Sequence, residues 1–302
     1  MEQPQSPSRK LGHAEVVWPL GAILGEGPLW SPRHQAVYFV DILGQKIAAF
    51  WPASDTKGLW ALEEPCTWLV EYADDDLFLA GLRRDIVSLR LEEHGVRLRR
   101  RFPHPEPEHA HNRFNDAKAD PWGRVWAGTM DDDEKRPTGA LYRISGQSMA
   151  RVDAPYIVSN GPAFSADGHT LYHSDSALRR IYAFDLSAQG EIRHKRLHIQ
   201  FTETDGYPDG MTGDEEGGLW VAHFGGGRVT RFDAEGRATD YIELPTPQVT
   251  SLCFGGPQYR DLYITTAARG RPEDPQAGHL YRRTVPYRGL PHHAYRRHPR
   301  HG

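Results

Sequence analysis

The chain is poor in the features that mark several protein classes. It has two cysteines, Cys66 and Cys253, too few for a disulfide framework and without metal-ligand spacing, so both are expected as reduced packing thiols. No apolar run approaches the roughly 20 residues a membrane helix needs, and Met1 to Lys10 is polar, without the hydrophobic segment of a secretory leader. Long amphipathic helical patterns are also missing. Formal net charge is −4, and basic residues cluster only at Arg97 to Arg101 and in the tail from Arg296 to His301. A nucleic-acid partner is therefore not expected. What remains is a soluble, cytoplasmic protein with no membrane partner.

Turn formers and strand formers are plentiful. Among 302 residues stand 30 Gly and 23 Pro, with 13 Tyr and 11 Phe set in short aliphatic runs, as many short strands joined by tight turns require. An aliphatic-aromatic pair recurs along the chain: Val37-Tyr38, Leu77-Phe78, Val125-Trp126, Leu171-Tyr172, Leu219-Trp220 and Leu262-Tyr263, at intervals of 40, 48, 46, 48 and 43 residues. About ten residues after each marker comes a second strand-like run, such as Arg180 to Phe184 or Arg228 to Phe232. Such a period, with about four strands per copy, predicts an all-β fold, a six-bladed β-propeller. Ala14 to Trp18, ahead of the first copy, is expected to close the ring as the outer strand of the last blade. The expected organisation is a disordered segment over residues 1–13, one propeller domain over 14–290 and a His/Arg-rich tail over 291–302.

Aligned on the markers, four polar residues fall at one position. Glu26 lies 12 residues before Tyr38, Asn115 lies 11 before Trp126, Asn160 lies 12 before Tyr172, and Asp209 lies 11 before Trp220. In a propeller the first strand of each blade lines the central channel, so these side chains converge at one end of the axis. The other two copies offer only Cys66 or Thr67 and Ser251 or Leu252 there. Two like charges 4 Å apart repel by about 4 kcal/mol at an effective dielectric near 20, before desolvation is counted. A divalent cation removes that cost. Glu26, Asn160 and Asp209 form an all-oxygen set suited to Ca²⁺ first, with Mg²⁺, Mn²⁺ or Zn²⁺ also accommodated, and Asn115 stands near enough for water or substrate. A polar cap over structural water is the alternative. Asp116 is expected to point away from Asn115 by strand alternation and to bind backbone.

Leu24-Gly-Glu-Gly-Pro-Leu-Trp30, Arg113-Phe-Asn-Asp116 with Gly128-Thr-Met130, Ser159-Asn-Gly-Pro162, and Pro208-Asp-Gly-Met211 with Gly218-Leu-Trp-Val221 resemble the regucalcin (senescence marker protein) and gluconolactonase family. The resemblance runs from about residue 14 to 290. It implies a six-bladed propeller with one catalytic divalent metal on Glu26, Asn160 and Asp209, acting on small-molecule sugar lactones, with Arg113 and Asn115 contacting substrate. Some relatives carry a Glu shortly after Gly-Thr-Met that grips sugar hydroxyls. By count the counterpart here is Asp132, in Asp131-Asp132-Asp133-Glu134.

Asp209 is the candidate catalytic general base, a carboxylate beside the metal within reach of water. Asp41, Asp131 to Asp133, His173, Asp175 and His223 are candidates for the rim, and His109 and His111 lie in an inserted loop that is either a lid or plain surface. Three function classes stay open: a metal-dependent sugar lactonase, a hydrolase of other esters or phosphotriesters on this scaffold, and a non-catalytic metal-binding propeller.

Overall fold

The structure, a computed structural model, describes residues 8–102 and 104–299. Six sheets form the six blades. Blade 1 consists of Gly25–Ser31, Ala36–Asp41, Lys46–Trp51 and Thr56–Ala61; blade 2 of Cys66–Glu71, Phe78–Leu82, Ile86–Glu92 and Gly95–Phe102; blade 3 of Asn112–Ala119, Val125–Asp131, Gly139–Ser145 and Ser148–Tyr156. Blade 4 consists of Ser159–Phe164, Thr170–Asp175, Arg180–Leu186 and Ile192–Gln200; blade 5 of Tyr207–Gly213, Leu219–Phe224, Arg228–Phe232 and Ala238–Glu243; blade 6 of Val249–Gly255, Asp261–Thr266 and Leu280–Thr284. Within each blade the strands are antiparallel neighbours in chain order. The first strand of every blade packs on the first strands of the blades before and after it, so the ring runs 1 to 6 and closes. Among the described residues the one helical element is the 3₁₀ turn Glu203–Asp205.

The recurring aromatics explain the ring's cohesion. Buried apolar side chains fall into six clusters, each between two adjacent blades. Trp126 packs with Phe164 and Phe184 between blades 3 and 4, and Trp220 with Phe254 and Leu262 between blades 5 and 6. Trp126 and Trp220 are fully buried, so each indole N–H needs a partner. Trp126 Nε1 donates to Asp120 Oδ2 at 2.9 Å and Trp220 Nε1 to Asp214 Oδ2 at 2.7 Å, and each aspartate is neutralised by an arginine, Arg124 or Arg231.

Closure occurs as expected but extends further. Glu15–Trp18 is the outer strand of blade 6, pairing Glu15 with Arg282. The preceding Arg9–His13, expected to be disordered, is a fifth strand of blade 5, parallel to Ala238–Glu243, with Arg9 held by Asp240 at 2.7 Å. The ordered domain therefore begins before residue 14; residues 1–7 lie outside the described residues. The C-terminal boundary shifts as well. Leu290, Pro291, His292 and His293 pack against Lys118, Ala119 and Thr212 at one end of the channel, and Tyr295, 2 % exposed, inserts between blades 2 and 3 against Tyr72. The expected tail is thus docked as far as Tyr295, because Leu290 and Tyr295 supply apolar surface that its basic neighbours obscure in the sequence.

Candidate active site

All six channel-lining strands share an irregularity. Their pairing with the second strand shifts register between Glu26 and Leu29, Cys66 and Trp68, Phe114 and Ala117, Asn160 and Ala163, Pro208 and Met211, and Val249 and Ser251. A bulge of this kind re-aims side chains and breaks the simple alternation of a strand. The four predicted polar residues sit at four of these bulges. Tight approach of neighbouring strands fixes the residues that follow: a Cβ on Gly161, at φ +41°, would stand 2.9 Å from the Asp209 carbonyl oxygen, and one on Gly210 would stand 2.0 Å from Ser251 Oγ.

The result is a cavity of about 310 Å³, lined by Glu26, Asn115, Asn160 and Asp209 from the inner strands, by Arg113, Ser176 and Tyr207, and by the loop residues Glu134 and Arg269, with Leu24, Met130, Val158 and Phe224 among its apolar surfaces. Its size suits one sugar ring. Glu26, Asn160 and Asp209 are 8 %, 6 % and 6 % exposed, so all three predicted ligands are at the site and nearly dehydrated.

The electrostatics favour a cation. Burial, and then the charge of Asp116, pushes Glu26 up to about 8, and burial together with Glu26 raises Asp209 well above the usual carboxylate range. Each carboxyl acts on the other, so ionising both at once is opposed when nothing positive is bound. Asp209 Oδ1 is buried with no hydrogen-bond partner among the described residues. Asn160 donates its Nδ2 to Ser176 Oγ at 3.2 Å, and Ser176 donates onward to the Pro208 carbonyl at 2.6 Å, which leaves the Asn160 amide oxygen as the atom available to a ligand. Among the described residues no three His, Cys, Asp or Glu side chains are placed to hold a metal; the set here has two carboxylates, with an amide oxygen as the third donor. Both the orphaned carboxylate oxygen and the oriented amide fit a hard divalent cation.

Asp116 departs from expectation. It does bind backbone, accepting from Ala117 N at 2.7 Å, but it also faces the channel and acts on both Glu26 and Asp209. The bulge between Phe114 and Ala117 is the physical reason, since the alternation assumed for the pair fails there. Asp116 in turn faces a buried ammonium, Lys118, whose charge is opposed by burial and favoured by Asp116. Lys118 donates to the Met211 carbonyl.

Arg113 and Asn115 are held in place by their neighbours. Arg113 Nε donates to Asp132 Oδ1 at 2.8 Å, and Nη1 donates to the Phe114 carbonyl at 3.0 Å and to Asn115 Oδ1 at 2.7 Å. Asn115 Nδ2 donates to the Ser159 carbonyl at 2.7 Å. Asp132 does not line the cavity: its carboxylate is engaged by Arg113 and Arg83. Glu134, two residues on and at φ +59°, lines it instead and pairs with Arg269. Position counting missed both Glu134 and Arg269, because a loop's left-handed turn decides which acid faces inward. Asp131, Asp132, Asp133 and Glu134 in a row were the only hint.

The rim candidates are mainly structural. Asp41 accepts from the backbone N–H groups of Ile23, Leu24 and Gly44, and Asp175 from those of Ile157 and Val158, so each fixes the segment leading into an inner strand. Asp131 is locked by Arg136, whose hydrogen bonds hold it down at about 2. His173 and His223 are buried and neutral, lowered by burial to about 3 and about 4. The loop before blade 3 is pinned by buried Glu106, which accepts from Asn112 at 2.7 Å and from Thr129 at 2.8 Å. Neither His109 nor His111 lines the cavity.

Comparison with known proteins places this geometry. A sequence profile for the SMP-30/Gluconolactonase/LRE-like region matches residues 24–268. The chain is 37% identical over 254 residues to 6-deoxy-6-sulfogluconolactonase of Pseudomonas putida, covering 83% of this chain and 85% of the relative. It is 34% identical over 274 residues to regucalcin of Xenopus laevis, covering 86% and 90%. A crystal structure of the calcium-binding protein regucalcin from Agrobacterium tumefaciens superposes with a TM-score of 0.89 at 26% identity, covering 96% of this chain and 100% of that one. The chain belongs to the SMP-30/gluconolactonase/LRE-like family.

Proposed function

We propose that this protein is an enzyme that hydrolyses sugar (aldono-) lactones to the corresponding sugar acids. The observation that carries the reading is the buried Glu26–Asp209 carboxyl pair, with an unpartnered Asp209 Oδ1, beside Asn160 in a cavity of sugar size. The lactonase name of the Pseudomonas relative agrees in class. Glu26, Asn160 and Asp209 would hold one divalent cation, Ca²⁺ first and Zn²⁺, Mn²⁺ or Mg²⁺ as alternatives. When bound it supplies Lewis-acid polarisation of the lactone carbonyl.

The chain's own residues do the rest. Asp209, in its ionised form, accepts a proton from water as the water oxygen bonds to the carbonyl carbon. The ring C–O bond then breaks, and the ring oxygen takes that proton and leaves as a hydroxyl. Arg113, with three hydrogen bonds already fixing its plane, offers its remaining N–H groups to lactone oxygens. Asn115, tied to Arg113 and Ser159, orients the ring.

The test is turnover of hexono- and pentonolactones before chelation, after it, and after add-back of each cation. The expected result is turnover lost on chelation and restored by at least one cation. No lactone hydrolysed above its spontaneous rate in any cation would overturn the reading.

A further inference from the structure

The cavity carries two guanidinium groups, bound in opposite ways. Arg113 is buried and tied to Asp132, Phe114 and Asn115. Arg269 is about half exposed, and its hydrogen bond among the described residues is to Glu134, Nη1 to Oε1 at 2.9 Å. Arg269 belongs to blade 6 and Glu134 to blade 3, which stand opposite each other in a ring of six, so their ion pair spans the cavity. An exposed pair of this kind is screened by solvent and parts readily.

Both partners rise from hydrogen-bonded loops, that of Glu134 closed by its own N–H donating to the Asp131 carbonyl at 2.9 Å. Arg269 rises from a loop anchored on both sides, by Ala268 N donating to the Ala22 carbonyl at 3.0 Å and by Asp274 accepting from Thr246 Oγ1 at 3.0 Å and Gln276 N at 3.0 Å. Glu134 sits in a left-handed turn, and Arg269 is its side chain's only hydrogen-bond partner among the described residues. Each side chain has the other as its one hydrogen-bond partner among the described residues, so an oxyanion entering the cavity competes with Glu134 for the guanidinium.

We propose that Arg269 is a specificity residue that binds an anionic substituent (carboxylate, phosphate or sulfonate) on the sugar, far from the lactone carbonyl, with Glu134 occupying the guanidinium until substrate arrives. This rests on the lactonase reading above. A neutral hydroxyl brings no charge with which to replace Glu134, whereas an oxyanion substitutes like for like and fits the planar donor fork. The other ionisable side chains lining the cavity are carboxyls apart from Arg113. Without Arg269, they would disfavour an anion there.

The experiment compares glucono-1,5-lactone with its 6-carboxylate, 6-phosphate and 6-sulfonate counterparts, in the cation-loaded enzyme. The readout is the ratio of kcat/KM for each anionic lactone to that for the neutral one. Arg269→Gln is expected to lower that ratio about 10- to 100-fold, the range of a charge-assisted hydrogen bond, mainly through KM, and the anion showing the largest drop identifies the group recognised. Glu134→Gln, which frees the guanidinium, is expected to raise the ratio. A ratio that Arg269→Gln leaves unchanged for all three anions would overturn the proposal. If the wild-type enzyme hydrolyses no lactone, the lactonase reading fails, and calorimetric binding of 6-anionic against 6-hydroxy aldonic acids decides Arg269 separately. Selective weakening of the anionic acids by Arg269→Gln supports the proposal, and equal binding overturns it.

Discussion

The two ends of the channel are made by the same six bulged strands, yet they differ in what faces the axis and in how much room is left. At one end Glu26, Asn160 and Asp209 meet a cavity of about 310 Å³. At the other, Asp116, Lys118 and Ser251 face spaces of only about 20–30 Å³, closed over by Leu290, Pro291, His292 and His293. At the closed end Lys118 opposes Asp116, so the charge there is largely answered within the protein. At the open end Arg113 acts on Glu26 but is itself paired with Asp132, and Asp209 keeps an oxygen without a partner among the described residues. A channel lined with acids becomes reactive only where the protein leaves charge unanswered and space unfilled.

The largest expected break in that comparison is Asp209→Ala. Loss of the candidate base should lower lactone turnover by at least about 10²–10⁴-fold with the far-ultraviolet circular dichroism of the propeller unchanged. Turnover near wild type would remove Asp209 from the chemistry.

At the closed end the expected effect is on stability instead. Tyr295→Ala removes a buried ring that packs edge-on against Tyr72 at 4.9 Å between centroids and donates to the Gly146 carbonyl. Denaturant unfolding should show a loss of about 3–5 kcal/mol, the usual cost of deleting a buried aromatic, while kcat/KM stays within a few-fold. A fall in kcat/KM without loss of stability would mean that the closed end governs the open one.

The smallest expected effect is a pH dependence. Glu26, raised to about 8 in the folded chain from an ordinary 4.5, binds a proton in the folded state that the unfolded state releases across that window. Its contribution to stability is therefore full below the unfolded value and declines as pH rises towards 8. In chelator, thermal stability should fall between pH 5 and pH 8, and Glu26→Gln should flatten that decline. Saturating cation should oppose it, since binding favours the ionised carboxyls. A decline of equal slope in Glu26→Gln would assign it to other groups.

Periodicity made the blades legible, because the aromatic of the recurring pair stands in the second strand of every blade and is buried there. Glu26, Asn115, Asn160 and Asp209 were legible for the same reason, as polar residues recurring at one position of the repeat. Asp116 was not, since a bulge cancels the alternation on which its orientation was judged. Arg9–His13 was missed because a single parallel edge strand carries no periodic signature, and the docking of Leu290 to Tyr295 because His and Arg dominate that segment's composition. Glu134 and Arg269 depend on loop dihedrals and on a contact across 135 residues, neither of which has a local signal.

The N-terminal clasp has a consequence in time. Arg9 pairs with Asp240 and Glu15 with Arg282, so these two strands find their partners only once blades 5 and 6 have been made. Pairings of such separation form slowly. The parallel pairing on blade 5 needs the chain through Glu243, and the outer strand of blade 6 needs it through Arg282; until then the ring is open. Ring closure is therefore a late step, fastening segments 231 and 267 residues apart.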